Sequence, residues 1–140
     1  MFTIQSNSVI LTEEKFRKFE TLVGRREKRE PLSHLIGERE FWSLSFIVTA
    51  DVLDPRPASE TLVEAALDQM RDHSEPVSVL DLGTGSGCLL IAVLSELPGA
   101  RGVGVDTSEA ALAIARQNAE KNSLDAYATF MSSSWGRDVS

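Results

Sequence analysis

Glycine occupies every second position in one short run of the chain, and an acidic residue stands at the start of that run. The acid is Asp81, and the glycines are Gly83, Gly85 and Gly87. Because glycine adopts positive φ easily and has no Cβ, the backbone can turn sharply here and a ligand can lie almost against it. Asp106 stands farther along, at the end of the next predicted strand. Its carboxylate can accept hydrogen bonds from both hydroxyls of a ribose, so the pattern predicts a nucleoside-binding site.

The spacing of these glycines favours one class of nucleotide-like ligand over another. Dinucleotide-binding proteins typically use Gly-x-Gly-x-x-Gly, which brings a pyrophosphate onto the following helix, and the alternate spacing found here does not fit that pattern. The charge of Asp81 would repel a pyrophosphate and suits the cationic methionine end of S-adenosyl-L-methionine. We therefore expect S-adenosyl-L-methionine as the cofactor. Two other interpretations remain open, which are a nicotinamide-dependent oxidoreductase and a tight strand-to-helix connection that binds no ligand.

Strands and helices alternate around the loop. Apolar runs and helical spacing predict strands at 77–82, 101–106 and 127–131, with helices at 88–97 and 108–122. Strands that alternate with helices of this length form parallel β-α-β units, whose crossovers are right-handed. The fold class is therefore α/β.

The part of the chain before these units has a different pattern. Thr12 is placed to cap a helix that runs to about residue 29, and aromatic and β-branched residues at 38–49 predict a short hairpin. Pro55 and Pro57 favour an extended segment, after which a further helix begins near residue 59.

These residues together resemble the release factor glutamine methyltransferases. The similarity runs from about residue 12 to residue 135, and its motifs are Arg29-Glu30-Pro31, the run from Leu35 to Trp42, Pro55-Arg56-Pro57 with Glu60, the run from Asp81 to Cys88, Gly104-Val105-Asp106, and Ala115-Arg116 with Asn118 and Asn122. The resemblance implies the first half of a Rossmann-like class I S-adenosylmethionine-dependent methyltransferase fold. That half has three parallel strands with helices, and a helix and a β-hairpin precede it.

The resemblance also divides the chain into three parts. Residues 1–37 correspond to an N-terminal helical segment that is a remnant of the family's substrate-recognition domain. Residues 38–57 form the hairpin and the Pro-Arg-Pro linker, and residues 58–140 form a partial methyltransferase domain. The family's Asn-Pro-Pro-Tyr motif does not occur in the sequence. We therefore expect a chain that is truncated at both ends.

The activity that the resemblance implies is transfer of a methyl group from S-adenosyl-L-methionine to the side-chain amide nitrogen of a glutamine. In this family the glutamine belongs to the Gly-Gly-Gln motif of a peptide chain release factor, and the Asn-Pro-Pro-Tyr motif orients its amide. Because that motif is missing, no catalytic residue is assigned and the chain alone is expected to be inactive. The alternative function is an inactive fragment or a module that binds S-adenosyl-L-methionine or protein. Relatives that methylate a ribosomal-protein glutamine share much of the pattern, so the substrate also stays open.

The loop and the resemblance together assign the cofactor-binding residues, which are Arg56, Asp81, Gly83, Thr84, Gly85, Gly87, Asp106, Ser134 and Trp135. Three positions depart from the family pattern. Asp54 replaces an apolar residue, Ala58 replaces an acidic one, and Ser134 stands where an aspartate usually meets the adenine. The missing aspartate predicts weak binding of the cofactor.

Other polar residues receive plainer interpretations. Asn118 and Asn122 lie four positions apart on one helix and are expected to face solvent. Neither His34 nor His73 has a partner at metal-ligand spacing, so no metal site is expected.

Composition limits the remaining function classes. A chain of 140 residues with 42% hydrophobic residues can build one domain, and its net charge of −7 argues against binding nucleic acid. No apolar run approaches the roughly 20 residues of a membrane helix, so we expect a cytoplasmic protein without membrane contact. The resemblance implies a release factor as its partner. In the related fold the first strand is central. Here strand 77–82 would be an edge, which predicts self-association or a need for a complementing C-terminal polypeptide.

Overall fold

The structure is a computed structural model that describes residues 12–70 and 76–135, so His73 lies outside the described residues. In chain order the elements are α1 (Glu13–Glu27), α2 (Leu32–Ile36), β1 (Glu38–Phe41), β2 (Leu44–Ile47), a 3₁₀ turn (Pro57–Ser59), α3 (Glu60–Met70), β3 (Ser78–Leu82), α4 (Cys88–Glu96), β4 (Arg101–Asp106), α5 (Glu109–Lys121) and β5 (Ala128–Ser132).

The sheet that carries the glycine loop has parallel strands in the order β3-β4-β5. Asp81 in β3 pairs with Gly104 in β4, and Val103 in β4 pairs with Thr129 in β5. Each predicted strand is present, and no end differs by more than one residue from the prediction. The α/β fold class is therefore confirmed, and the loop after β3 and the loop after β4 meet at the same edge of the sheet, as the carboxyl ends of parallel strands do.

The predicted hairpin is also present, formed by antiparallel β1 and β2 with Phe41 opposite Leu44. Its two-residue turn consists of Trp42 and Ser43, whose φ angles are 52° and 57°. Positive φ at both central residues is typical of a type I′ turn, which matches the twist of a hairpin but is usually made by Asn-Gly. The aromatic rings of Phe41 and Phe46 lie edge to face and are buried in the core.

Helix α5 packs against apolar residues on two sides. Leu112 and Ala115 contact the main core between the sheet and α4, while Ala111 and Ile114 pack with Val48 and neighbouring residues that follow the hairpin. Seven of the 13 residues of α5 are exposed, so the helix has one buried face, which is shared between the main core and the hairpin segment. The contacts of the hairpin segment with α5 also determine what surrounds the polar residues of this helix.

The segment before the hairpin packs less tightly. Thr12 caps α1 as predicted, since its hydroxyl oxygen accepts a hydrogen bond from the Lys15 N–H at 3.4 Å. No residue of α1 is buried, and Phe16 and Phe19 are about half exposed. Helix α2 was not predicted, because its five residues between Pro31 and Gly37 are too few to show a periodic pattern.

A partly buried polar cluster joins α2 to the segment before Pro55. The Asp54 carboxylate accepts hydrogen bonds from the Ser33 hydroxyl and from Arg39, and its other oxygen lies 3.4 Å from His34 Nε2. Asp54 departs from the family pattern in the sequence, and these contacts give its carboxylate three polar neighbours.

Candidate cofactor site

The glycine loop crosses the carboxyl ends of β3 and β4. The N–H groups of Gly83 and Thr84 both donate to the carbonyl oxygen of Val105 at 2.9 Å, which fixes the start of the loop to β4. Gly83, Gly85 and Gly87 have φ angles of 76°, 54° and 77°. Residues with a Cβ rarely adopt such angles, so the alternation of glycine in the sequence is explained by the backbone path.

The three glycines differ in what surrounds them. A Cβ added at Gly83 or Gly85 would meet no atom within 4 Å, so these two positions leave open space beside the backbone. A Cβ at Gly87 would lie 3.2 Å from the Ala115 Cβ, 3.2 Å from the Ile91 Cδ1 and 3.3 Å from a ring carbon of Phe130. Gly83 and Gly85 therefore give room for a ligand, whereas Gly87 allows α4 to pack closely against α5 and the sheet.

Asp106 ends β4 and holds the loop in place. One carboxylate oxygen accepts a hydrogen bond from the Gly85 N–H at 2.9 Å, and the other accepts one from the Ser108 N–H at 3.0 Å. An ionised carboxylate has about four lone-pair positions, so each oxygen can still accept a second donor such as a ribose hydroxyl. The geometry thus shows a structural role for Asp106, and its role in binding a ligand stays a prediction.

Asp81 lies near the end of β3, just before the loop, and its carboxylate accepts a hydrogen bond from the Thr84 hydroxyl at 2.7 Å. Burial raises the pKa of Asp81 above its ordinary value, and the nearby charge of Asp106 raises it further. Hydrogen bonds from the Thr84 hydroxyl and the Leu90 backbone N–H act in the other direction on this pKa. Two carboxylates therefore flank one glycine loop, and this arrangement favours a cationic ligand over a pyrophosphate.

A cleft of about 190 Å³ opens between the ends of the parallel strands. Its lining residues are Leu82, Gly83, Val105, Asp106, Thr107, Ser133 and Trp135. Trp135 is 83% exposed, so the face of its indole ring is accessible at the edge of this cleft. The cleft therefore brings together an acid, an open backbone and an aromatic ring, which are groups that can hold a nucleoside.

Six of the nine predicted residues lie outside this set, namely Arg56, Asp81, Thr84, Gly85, Gly87 and Ser134. Asp81 instead lines a groove together with Leu62 and Leu80. Ser134 is exposed, and the neighbouring Ser133 is buried and faces the cleft instead. Ser133 was not predicted, although its backbone N–H donates to the Asp106 carbonyl oxygen at 3.2 Å and so follows the pairing of β5 with β4. Arg56 is exposed at the start of the 3₁₀ turn. A role for Ser134 and Arg56 in binding stays a prediction.

The prediction that the asparagines of α5 face solvent is wrong. Asn118 is 0% exposed, and Asn122 is partly buried with its amide donating to the Ser45 carbonyl oxygen at 3.1 Å. The spacing of polar residues on α5 gave no sign of this, because the hairpin that covers them is distant in sequence.

Two negative findings apply to residues 12–70 and 76–135. No helix there is both long and apolar enough to cross a bilayer. No three His, Cys, Asp or Glu side chains in these ranges are grouped so that they could hold a metal ion.

Two family models match the chain in separate places. The model for ribosomal protein L11 methyltransferase (PrmA) matches residues 61–137, which is more than half of the chain and includes the glycine loop and Asp106. The model for the PrmC N-terminal domain matches residues 4–37.

Curated relatives carry one shared name. A release factor glutamine methyltransferase of Rhodospirillum rubrum is 42% identical over 93% of this chain and 39% of its own length. One of Buchnera aphidicola is 43% identical over 96% of this chain and 47% of its own length. One of Geobacter sulfurreducens is 48% identical over 72% of this chain and 34% of its own length. The chain thus spans less than half of the length of these relatives.

Solved structures agree on the fold. The ribosomal protein L11 methylase of Lactobacillus delbrueckii has a TM-score of 0.51 and 27% identity, over 61% of this chain and 42% of that protein. A SAM-dependent methyltransferase of Agrobacterium tumefaciens has a TM-score of 0.57 at 19% identity, over 67% of this chain and 31% of that protein, and this likeness concerns the fold alone. By the model match over residues 61–137 the chain belongs to the family of methyltransferases that this model describes, and its sequence is similar to those of release factor glutamine methyltransferases.

Proposed function

We propose that this chain binds S-adenosyl-L-methionine at the glycine loop as part of a protein-glutamine methyltransferase. The observation that carries the proposal is the pair of carboxylates, Asp81 and Asp106, that flank a loop with open space beside Gly83 and Gly85. A loop that cradles a pyrophosphate offers N–H groups to an anion. Here the Gly85 N–H already donates to Asp106, so the loop presents negative charge instead.

Each part of the cofactor has a partner of matching chemistry. Asp106 would accept hydrogen bonds from the ribose hydroxyls, and Trp135 would stack on the adenine. The charge of Asp81 would balance the cationic methionine end. When bound, S-adenosyl-L-methionine supplies an electrophilic methyl group on a sulfonium sulfur. The residues of this chain hold and orient that donor, and such positioning is a large part of catalysis when the nucleophile is weak.

The proposed acceptor is the side-chain amide of a glutamine in the Gly-Gly-Gln motif of a peptide chain release factor. The support for this substrate is the name shared by the curated relatives and the match of residues 4–37 to the PrmC N-terminal domain. An amide nitrogen is a poor nucleophile because its lone pair is delocalised into the carbonyl. Release factors act during translation in the cytoplasm, and we place the activity there.

Transfer of the methyl group to the glutamine amide requires residues that this sequence does not contain. The Asn-Pro-Pro-Tyr motif that orients the amide in the family is absent from the 140 residues. We therefore propose that the chain supplies cofactor binding and that transfer needs a polypeptide carrying that motif. In a radiolabelled methyl-transfer assay with purified release factor, the chain alone should give no turnover, while the longer Rhodospirillum rubrum relative serves as the positive control. Turnover by the chain that survives repurification would show that it carries its own amide-binding residues.

Calorimetric titration with S-adenosyl-L-methionine, its demethylated product and NAD⁺ tests the cofactor assignment. We expect binding of the first two ligands and none of NAD⁺. Asp106→Ala removes a charged hydrogen-bond acceptor, which is worth about 1.5–3 kcal/mol or roughly a ten- to hundred-fold loss of affinity. Asp125→Ala, at an exposed acid after α5, is the charge-matched control and should leave the dissociation constant unchanged. An unaltered affinity in Asp106→Ala would remove the ribose assignment.

A further inference from the structure

Asn118 is a fully buried amide whose polar atoms contact two separate parts of the chain. Its Oδ1 accepts a hydrogen bond from the Ile47 N–H at 2.6 Å, and its Nδ2 donates to the Ile47 carbonyl oxygen at 3.1 Å. The same Nδ2 donates to the Ser86 carbonyl oxygen at 2.9 Å. Since a buried amide without partners is costly, these three bonds explain why an asparagine is tolerated at 0% exposure.

The contacts with Ile47 attach the hairpin to α5. An asparagine amide offers one donor and one acceptor side by side, as the backbone of a neighbouring strand would, so Asn118 pairs with the last residue of β2. One turn later, Asn122 donates to the Ser45 carbonyl oxygen, two residues earlier on the same edge of β2. An ion pair between Lys121 and Glu38, with 2.7 Å between nitrogen and oxygen, adds to this attachment.

The contact with Ser86 fixes the end of the glycine loop. Ser86 stands between Gly85 and Gly87, and its carbonyl belongs to the same peptide unit as the Gly87 N–H. That N–H donates to the Thr84 carbonyl oxygen at 2.8 Å. Asn118 and Thr84 therefore hold one peptide plane from both sides, within a segment whose glycines have no preferred conformation of their own.

We propose that Asn118 is a positioning residue that holds the glycine loop in its ligand-binding conformation. The inference rests on the proposed function, because the loop is taken as the cofactor site. A loop that is already ordered loses less conformational entropy when a ligand binds, so the Asn118 contact to Ser86 strengthens binding without touching the ligand.

Matched variants separate this role from general stability. Asn118→Asp keeps the size and the acceptor but places a second oxygen against the carbonyls of Ile47 and Ser86. Asn122→Ala removes a hairpin bond and no loop bond. Ala119→Gly weakens α5 at a buried neighbour and leaves the three bonds of Asn118 in place. Should Asn118→Asp fail to fold, Asn118→Ser takes its place as the milder change.

The experiment measures two quantities on the full 140-residue chain at a temperature where circular dichroism shows every variant folded. The first is the affinity for S-adenosylhomocysteine, the demethylated product of the cofactor, measured by calorimetry. The second is the rate of amide hydrogen exchange at Gly85 and Gly87. We expect the Asn118 variant to bind about ten-fold or more weakly and to exchange these amides about ten-fold or more faster. Asn122→Ala and Ala119→Gly should change neither quantity to that extent.

The outcomes distinguish this proposal from the proposed function. If the unaltered chain binds no S-adenosylhomocysteine, the cofactor assignment fails. In that case the rate of amide exchange at Gly87, without any affinity measurement, decides whether Asn118 orders the loop. Equal effects of Ala119→Gly and the Asn118 variant on exchange would reduce Asn118 to a packing residue and overturn the inference. Faster exchange at Gly87 with unaltered affinity would overturn the link between loop order and binding.

Discussion

Asp81 has a carboxyl group whose surroundings oppose its charge. Burial raises its pKa and the charge of Asp106 adds to that effect, while the hydrogen bond from Thr84 opposes both. Since the pKa is raised overall, ionising Asp81 destabilises the folded chain relative to the unfolded one. A cationic ligand beside the carboxylate would relieve this cost. Under the proposed function, the charge of Asp81 lowers the stability of the free chain and favours binding of the cationic ligand.

A substitution at Asp81 should change both the stability of the free chain and its affinity for the ligand. Asp81→Asn keeps an oxygen that can accept the Thr84 hydroxyl and removes the charge, so we expect a higher melting temperature at pH 7 and roughly ten- to hundred-fold weaker binding of S-adenosyl-L-methionine. Between the ordinary value of 3.8 and the raised folded pKa, the unfolded chain has lost its proton while the folded chain still holds it. The stability of the unaltered chain should therefore fall as pH rises through this window, relative to the Asn variant.

Thermal melts of the two proteins from pH 3.5 to pH 7 measure this difference, with Asp125→Asn as the control for net charge. The affinity of the unaltered chain for S-adenosyl-L-methionine should rise over the same interval, because the charged carboxylate is the binding form. A lower melting temperature for Asp81→Asn at pH 7, with unaltered affinity, would mean that Asp81 serves only to accept the hydrogen bonds from the Thr84 hydroxyl and the Leu90 N–H.

The glycines of the loop should also differ in measurable ways. Alanine at Gly83 or Gly87 is strained by positive φ, at a cost of about 1–2 kcal/mol. At Gly87 the added Cβ also meets three side chains at 3.2–3.3 Å, and overpacking of this kind costs about 1–3 kcal/mol more. Urea denaturation should therefore show a larger loss of unfolding free energy for Gly87→Ala than for Gly83→Ala. Equal losses would indicate that α4 can shift away without cost.

At the scale of single elements, the hairpin turn is under strain that its neighbours compensate. Trp42 and Ser43 both have positive φ, which costs non-glycine residues of order 1 kcal/mol or more each. The Trp42 backbone N–H donates to the Glu60 carboxylate at 3.0 Å, and its indole N–H donates to Glu96 at 2.9 Å. Contacts from α3 and α4 thus hold a turn that the two residues alone would not favour.

Replacing the exposed residue of this turn should stabilise the protein. Ser43→Gly removes the strain of positive φ, and we expect a gain of about 1 kcal/mol in unfolding free energy by urea denaturation. The same change at Ser45, inside β2, should have the opposite sign, because glycine weakens a strand and the hydroxyl bond to Glu38 is lost. A loss of stability in Ser43→Gly would show that the serine side chain has a role in the turn.

The sequence predicts elements well where the pattern is local. The apolar strands, the alternating glycines and the Thr12 cap depend on neighbours within one element, and each is found in the structure. The turn at Trp42 and the burial of Asn118 depend on contacts with distant elements, so no local signal exists for them. Ser133 and Ser134 show the same limit on a smaller scale, since only the pairing of β5 determines which of the two faces the cleft.

At the scale of the whole molecule, the described sheet has an edge with apolar side chains. β3 lies at one end of the strand order, and Leu80 and Leu82 are 48% and 45% exposed. Leu62 of α3 lines a groove beside Leu80, which extends the apolar surface from strand to helix. An edge strand with exposed leucines offers unpaired backbone groups to another chain, and self-association of the 140-residue polypeptide stays a prediction.

Charge on this edge should weaken self-association. Burying one leucine is worth about 1.5–3 kcal/mol, so Leu80→Lys should lower the association constant by roughly ten- to hundred-fold in light scattering or sedimentation at micromolar concentration. Leu53→Lys is the control, because Leu53 is 74% exposed and lies outside the sheet. A monomeric unaltered chain, or equal effects of both lysines, would rule out β3 as the contact.

The attachment of the hairpin to α5 also orders events during synthesis. Ile47 and Asn118 are 71 residues apart in sequence, and Glu38 and Lys121 are 83 apart. A hairpin forms in about 1–10 μs, but at roughly 5–20 residues per second the ribosome needs about 4–14 s to add the residues up to Asn118. Throughout that interval the edge of β2 has none of its asparagine partners. The speed of translation therefore sets the time for which the nascent hairpin lacks its contacts with α5. Slow codons between β2 and α5 would lengthen this time.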